Sequence, residues 1–165
     1  QASGKAVVGA FQQAFASSLL IIGLLLLYIL RSIKKMLLVI APLLLAGLLT
    51  CTVNVFLGIP FNFANIIALP LLLGMGVDSG IHIMHCLHES LADDQNLLQT
   101  STARGVMFSS ITTMSSFISL AFIPHFGISS MGITLAVGIS FTLLCTLIIL
   151  PAFSSRTIQL EPKTQ

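Results

Sequence analysis

The sequence predicts an all-α membrane protein, a bundle of five transmembrane helices. Three observations carry that prediction. Apolar residues make up 56% of the 165 and charged residues only 7%, where a soluble domain carries roughly 25% charged residues. The few charges fall in small groups separated by long uncharged runs. Coiled as helix, each run is one or two hydrocarbon thicknesses long. So few charges could not clothe the surface of a soluble fold, whereas a bundle solvated by lipid needs no such shell. One membrane domain over 1–165 is therefore expected.

The elements follow in chain order. Between Lys5 and Arg31 lie 25 uncharged residues, giving a first span at about 11–30. Its leading part, 7–16 with Gln12 and Gln13, is more polar and is expected to begin outside the bilayer as an interfacial extension. The next uncharged run, 36–77, has 42 residues, about 63 Å as a single helix and so twice the core thickness. Gly58-Ile59-Pro60 near its middle marks a turn. That sets a second span at about 36–57 and a third at about 62–84. Residues 85–104 gather His85, His88, Glu89, Asp93, Asp94 and Arg104 and read as a polar connector, with Leu91, Leu97 and Leu98 able to line one face of a short helix. A further 51 residues lack Asp, Glu, Lys and Arg and are broken at Pro124-His125-Phe126-Gly127. The fourth span is then about 106–123 and the fifth about 128–152, ending at Pro151 and a polar tail.

Six of the seven basic residues fall on one side of this arrangement, which the positive-inside rule makes cytoplasmic. Gln1 is then outside and Gln165 inside. The chain starts at Gln1 with no signal peptide before the first span, so it is expected to be a piece of a longer protein. The net charge of +2 comes from scattered residues rather than a basic patch, and nucleic acid is not an expected partner. Cys51, Cys86 and Cys145 are odd in number, without CxxC spacing, and read as small core residues.

Asp78 is the only acidic residue inside a span. A carboxylate at bilayer depth costs at least ~2.5 kcal/mol even on the lenient insertion scale, and such residues usually face a bundle interior or a water path and move ions or protons. Desolvation favours the neutral form, so a carboxyl here can take up and release a proton as its hydration changes. The bland alternative is a hydrogen-bonding residue that only fixes helix packing. Around it Gly74, Gly76 and Gly80 are candidate packing glycines, with Gly76-xxx-Gly80 at small-xxx-small spacing. His82 and His85 lie on roughly the same helical face as Asp78. His82 is a candidate relay, set against histidines that merely mark the helix leaving the bilayer. A metal site at His82, His85 and His88 is disfavoured because their spacing drifts around the helix and no carboxylate completes the set.

The fourth span holds seven hydroxyl residues between Ser109 and Ser119. Ser109, Thr112, Thr113 and Ser116 are candidates for a polar lining opposite Asp78, against the alternative that they bond to their own helix carbonyls. Asn62 and Asn65 are expected as helix-start and interhelical contacts. No HExxH, GxSxG or GxxxxGK[ST] signature occurs and one carboxylate does not make an intramembrane aspartyl site, so neither enzyme activity nor a cofactor is expected.

The run Pro60-Phe61-Asn62-Phe63-Ala64-Asn65 through Gly74-Met75-Gly76-Val77-Asp78-Ser79-Gly80-Ile81-His82 resembles the second-half motif of the resistance-nodulation-division (RND) superfamily. It is most similar to the MMPL-type branch, and within it to the hopanoid-biosynthesis-associated transporters. The likeness extends to Ala10-Phe11-Gln12-Gln13-Ala14-Phe15 and Thr100-Ser101-Thr102-Ala103-Arg104. It implies a partial MMPL/RND-type membrane domain of a bacterial inner-membrane exporter: helices eight to twelve of a twelve-helix fold. The chain's partners would be the other seven helices, the extracytoplasmic domains and a hopanoid-like lipid substrate, with a homo-oligomer left open. It also implies that Asp78 is the proton-coupling residue. Two departures limit the transfer. Ser79 stands where some members have tyrosine, and the multidrug exporters of the superfamily use lysine on the corresponding helix. The rival reading is a lipid- or sterol-sensing or scaffolding membrane domain that needs no proton flux.

Overall fold

The computed structural model describes residues 2–59, 62–92 and 100–158. Five helices follow one another: α1 Ala2–Leu30, α2 Ile33–Phe56, α3 Phe63–Ala92, α4 Ser101–Leu120 and α5 Phe126–Ile158, with no strand among the described residues. The reversals are short. Arg31 separates α1 from α2 at φ +48, a left-handed conformation uncommon for a residue with a Cβ, while its N–H still closes on the Leu27 carbonyl at 2.9 Å. After α2 the chain turns at Gly58, φ +65, where the missing Cβ removes the steric cost.

Several boundaries differ from the sequence expectation, each for a local reason. α1 is continuous from Ala2, so its polar leading part and its apolar part form one helix. α3 does not end at 84 but runs to Ala92, because histidine, serine and glutamate at a membrane edge change solvation without breaking the backbone hydrogen-bond ladder. Leu97 and Leu98 lie outside the described residues. α4 starts five residues early, where the Thr100 hydroxyl accepts from the Ala103 N–H at 3.3 Å and caps the first turn. It stops at Leu120 rather than 123. α5 passes through Pro151 and continues to Ile158; a proline deletes one ladder donor, which a packed membrane helix tolerates.

Among the described residues, four helices contain stretches long and apolar enough to cross a membrane: Gln12–Leu30, Ile33–Phe56, Ile67–Leu87 and Phe126–Phe153. α4 is not among them. Its 20 residues span about 30 Å, but its hydroxyl residues dilute the apolar ones.

Side-chain contacts fix the topology. Gly76 and Gly80 of α3 lie against Leu43 and Val39 of α2, so these two helices run antiparallel. Gly138 and Thr142 of α5 meet Leu72 and Gly76 of α3, so α3 and α5 run parallel. Met114 Sδ accepts from Ser140 Oγ at 3.0 Å and Gly132 abuts the Phe117 carbonyl, making α4 antiparallel to α5. α5 is thus the central helix, packed on α2, α3 and α4, while α1 rests on α2 and α3. The packing face of α5 carries Ser130, Thr134, Gly138, Thr142 and Thr146, all buried, at strict four-residue spacing. Small residues in that pattern let backbones approach where no hydrophobic force drives helices together. Two apolar clusters fill the rest. One joins Leu26, Val39, Leu43, Val77, Ile83 and Leu150; the other joins Ala68, Leu72, Leu135 and Ile139.

Candidate functional site: a carboxylate between two cavities

The buried positions of α3 include Gly76, Val77, Gly80, Ile83, Met84 and Leu87, the side that meets α2 and α5. A Cβ on Gly80 would come within 2.8 Å of Val39 Cγ1, and one on Gly76 would overlap Leu43 and lie 2.8 Å from Thr142 Cγ2. Gly74 differs: a Cβ there would meet nothing within 4 Å, so the close helix approach expected at this residue is not made within the chain. Gly74 shares an exposed strip with Ile67, Leu71, Asp78, His82 and His85, whose three- and four-residue spacing is that of one helical face.

Asp78 therefore points away from the packed side. It stands eleven residues after Ile67 and nine before Leu87, near the middle of the apolar stretch. Its side chain is 78% exposed and that of His82, one turn on, 57%, with His82 Nε2 3.5 Å from Asp78 Oδ1. That separation is about half an ångström longer than a good hydrogen bond. No other hydrogen bond or ion pair to Asp78 is found among the described residues.

Two cavities meet at this carboxylate. The smaller, about 130 Å³, is lined by Leu72, Met75, Gly76, Asp78, Ser79, Ser109, Ser110, Thr113, Ile139, Thr142 and Leu143 and reaches between α3, α4 and α5. The larger, about 390 Å³, is lined by Asp78, Ser79, His82, Thr102, Gly105, Val106 and Ser109 and runs toward the first turns of α4. Asp78, Ser79 and Ser109 border both.

Of the candidate lining residues, Ser109 faces both cavities and Thr113 the smaller one. Thr112 and Ser116 are exposed and line neither. None donates to Asp78: Thr112, Thr113 and Ser116 hydroxyls donate to the carbonyls of Phe108, Ser109 and Thr112 at 2.9, 2.8 and 3.0 Å. A hydroxyl whose proton is engaged this way keeps lone pairs free to accept, so such a wall can receive hydrogen bonds from water or from a protonated carboxyl. Thr142, which closes one side of the smaller cavity and donates to Gly138 O at 2.8 Å, was missed from sequence. Its signal was available in the four-residue spacing along α5. Ser79 and Ser110 carried no comparable period.

Asn62 and Asn65 sit at the start of α3, where Asn62 Oδ1 accepts from the Asn65 N–H at 3.0 Å and Asn62 Nδ2 donates to Ser130 Oγ at 2.7 Å. The described residues contain no cluster of three metal-ligating side chains. Cys51, Cys86 and Cys145 are free thiols.

Bundle and site together define a multi-pass membrane protein with one carboxylate set at membrane depth beside hydroxyl-lined space. The chain belongs to the MMPL family, which it matches over residues 5–158. It is 40% identical over 154 residues to the hopanoid transporter HpnN of Rhodopseudomonas palustris (strain TIE-1), covering 93% of this chain and 17% of that protein. It is 36% identical over 163 residues to the hopanoid transporter HpnN of Burkholderia multivorans (strain ATCC 17616 / 249), covering 99% of this chain and 18% of that one. The chain thus spans less than a fifth of the length of these relatives.

Proposed function

We propose that the chain is the membrane segment of a proton-driven exporter of hopanoid-like lipids, with Asp78 as the residue that couples proton movement to transport. Residues 1–165 form one partial domain corresponding to helices eight to twelve of the RND arrangement. All five helices cross a bacterial inner membrane; α4 is included because it lies antiparallel along α5. The Arg31, Lys34, Lys35 and Arg104 end is cytoplasmic. The remaining helices and the extracytoplasmic domains, where lipid selectivity would reside, complete the machine.

The observation that carries this reading is Asp78 itself: a carboxyl halfway along an apolar stretch, turned away from the packed side and bordering both cavities. An ionised group there is costly in hydrocarbon, whereas a neutral one is tolerated, so protonation changes which surroundings the face prefers. Two packings of the bundle that hydrate Asp78 differently are then populated according to its charge. The proton gradient can supply the bias, since one charge crossing 100 mV is worth about 2.3 kcal/mol.

The test is lipid transfer by the full-length protein in proteoliposomes, wild type beside Asp78→Asn, with and without an imposed pH gradient. Gradient-dependent transfer that is lost in a normally assembled Asp78→Asn protein is expected. Equal transfer by both proteins, or lipid binding indifferent to the gradient, would favour a lipid-sensing domain instead.

A further inference from the structure

The geometry points to His82 as a proton relay between Asp78 and the basic end of the bundle, with the larger cavity as the path that completes it. The inference rests on the reading of Asp78 as the coupling carboxyl and adds a route and a second proton-carrying residue to it.

Asp78 lies well inside the apolar stretch, away from the basic end. From Asp78 to Leu87, the last residue of the apolar stretch, is about 14 Å along the helix. His82 shortens that gap by one turn. Among the described residues it is the basic group close to Asp78, with Nε2 3.5 Å from Oδ1, and a rotamer shift of about half an ångström brings the two to hydrogen-bond distance. Catalytic hydrogen bonds are often this long in resting structures and tighten in use.

The larger cavity is placed to take the proton onward. It contains Asp78 and His82 together and extends past Ser109 to Thr102 and Gly105 in the first turns of α4, and its 390 Å³ is far above the ~30 Å³ share of one water. Ser79 and Ser109 line both this cavity and the smaller one. In the release step the protonated Asp78 carboxyl gives its proton to neutral His82 Nε2, leaving a carboxylate and an imidazolium. The imidazolium then loses a proton to water in the cavity and returns to neutral imidazole. No electron or further group is exchanged.

Among the described residues, no third titratable group lines this cavity. α4 contributes only Thr102, Gly105, Val106 and Ser109 to the wall, and Arg104 is not part of it. His85 turns instead toward a separate cavity with Ile29, Leu30, Lys35 and Met84, and Tyr28, Arg31 and Lys34 stand at that α1–α2 end. Between Phe126 and Phe153, α5 brings no acidic, basic or histidine side chain to α3. Among the described residues, His82 is therefore the side chain in a position to hand protons between Asp78 and the cavity mouth.

The experiment is proton flux through the full-length protein in vesicles holding a trapped pH dye, after an external pH jump. Wild type, Asp78→Asn, His82→Ala and His82→Gln are compared, with and without added imidazole. Melting temperature and elution volume serve as checks on assembly. Both His82 variants are expected to slow flux roughly tenfold or more, and free imidazole should restore the His82→Ala protein, whose cavity has room for it, but not Asp78→Asn. Imidazole rescue is the readout that a merely structural histidine would not give. Wild-type flux in the His82 variants, with Asp78→Asn inactive, would overturn the relay and leave the coupling role of Asp78 intact. Slow flux in well-assembled His82→Ala that imidazole does not restore would also overturn it. Wild-type flux in every variant would sink the reading of Asp78 as well.

Discussion

The two halves of α3 both carry polar side chains, and the chain treats them in opposite ways. At its start, Asn62 donates to Ser130 of α5 and caps its own helix through the Asn65 N–H. Beside it Asn54, 1% exposed, donates to Thr134 of α5 at 3.0 Å. In the other half, Asp78 and His82 stay exposed, with only each other for a polar contact among the described residues. Polar groups at membrane depth must be satisfied by protein or by water-filled space. The amide nitrogens of Asn54 and Asn62 are satisfied by α5 and serve packing. The carboxylate and imidazole instead border open space, an arrangement that suits groups whose protonation changes.

If that contrast holds, substitutions in the two regions should separate transport from stability. The largest effect is expected at Asp78→Asn, which should cut gradient-driven lipid transfer roughly a hundredfold or more, at the level of a lost proton-transfer group, with little change in melting temperature. Next is Gly76→Ala, whose new Cβ overlaps Leu43 and crowds Thr142 and should cost about 1–3 kcal/mol as an overpacked site. Gly74→Ala faces open space and should instead be neutral or stabilise by up to about 1 kcal/mol through better helix propensity. Detergent-solubilised unfolding curves compare the two. A large loss at Gly74→Ala would mean that another part of the full-length protein presses on the Asp78 face.

Thr134→Val tests the other region. Removing the acceptor of the Asn54 bond should cost about 0.6 kcal/mol, the average for interhelical hydrogen bonds in membranes. Transport should persist. The smallest effect is expected for Thr112→Val, which lines neither cavity and whose hydroxyl bonds only to its own helix; stability should move by less than about 0.5 kcal/mol and lipid transfer should match wild type.

Much of this was legible in the sequence because the signals were physical and local. The uncharged runs located the helices, and Gly58 marked a reversal that its positive φ requires. Asp78 stood out because a carboxylate in an apolar run is costly wherever the helix points. Helix ends were less legible: α3 runs on through its histidines and α5 through Pro151, since membrane edges and helix ends are set by different forces. Which way each residue faces was least legible. Gly74, Gly76 and Gly80 look alike in the sequence, yet one faces open space and two face α2 and α5. Thr112 and Thr113 are neighbours, but only Thr113 reaches a cavity. Such distinctions depend on the rotation of α3 and α4 against α5, which composition does not encode.

The most direct test of the central claim is the protonation of Asp78 in the membrane. A hydrophobic carbodiimide reacts with protonated carboxyls at bilayer depth, and mass spectrometry can quantify its adduct on Asp78 in the full-length protein as pH is varied. The account predicts labelling that is strong in acid, falls as pH rises and ionises the group, and vanishes in Asp78→Asn. Labelling that is absent or unchanged from acid to alkaline pH would contradict a carboxyl that gains and loses a proton.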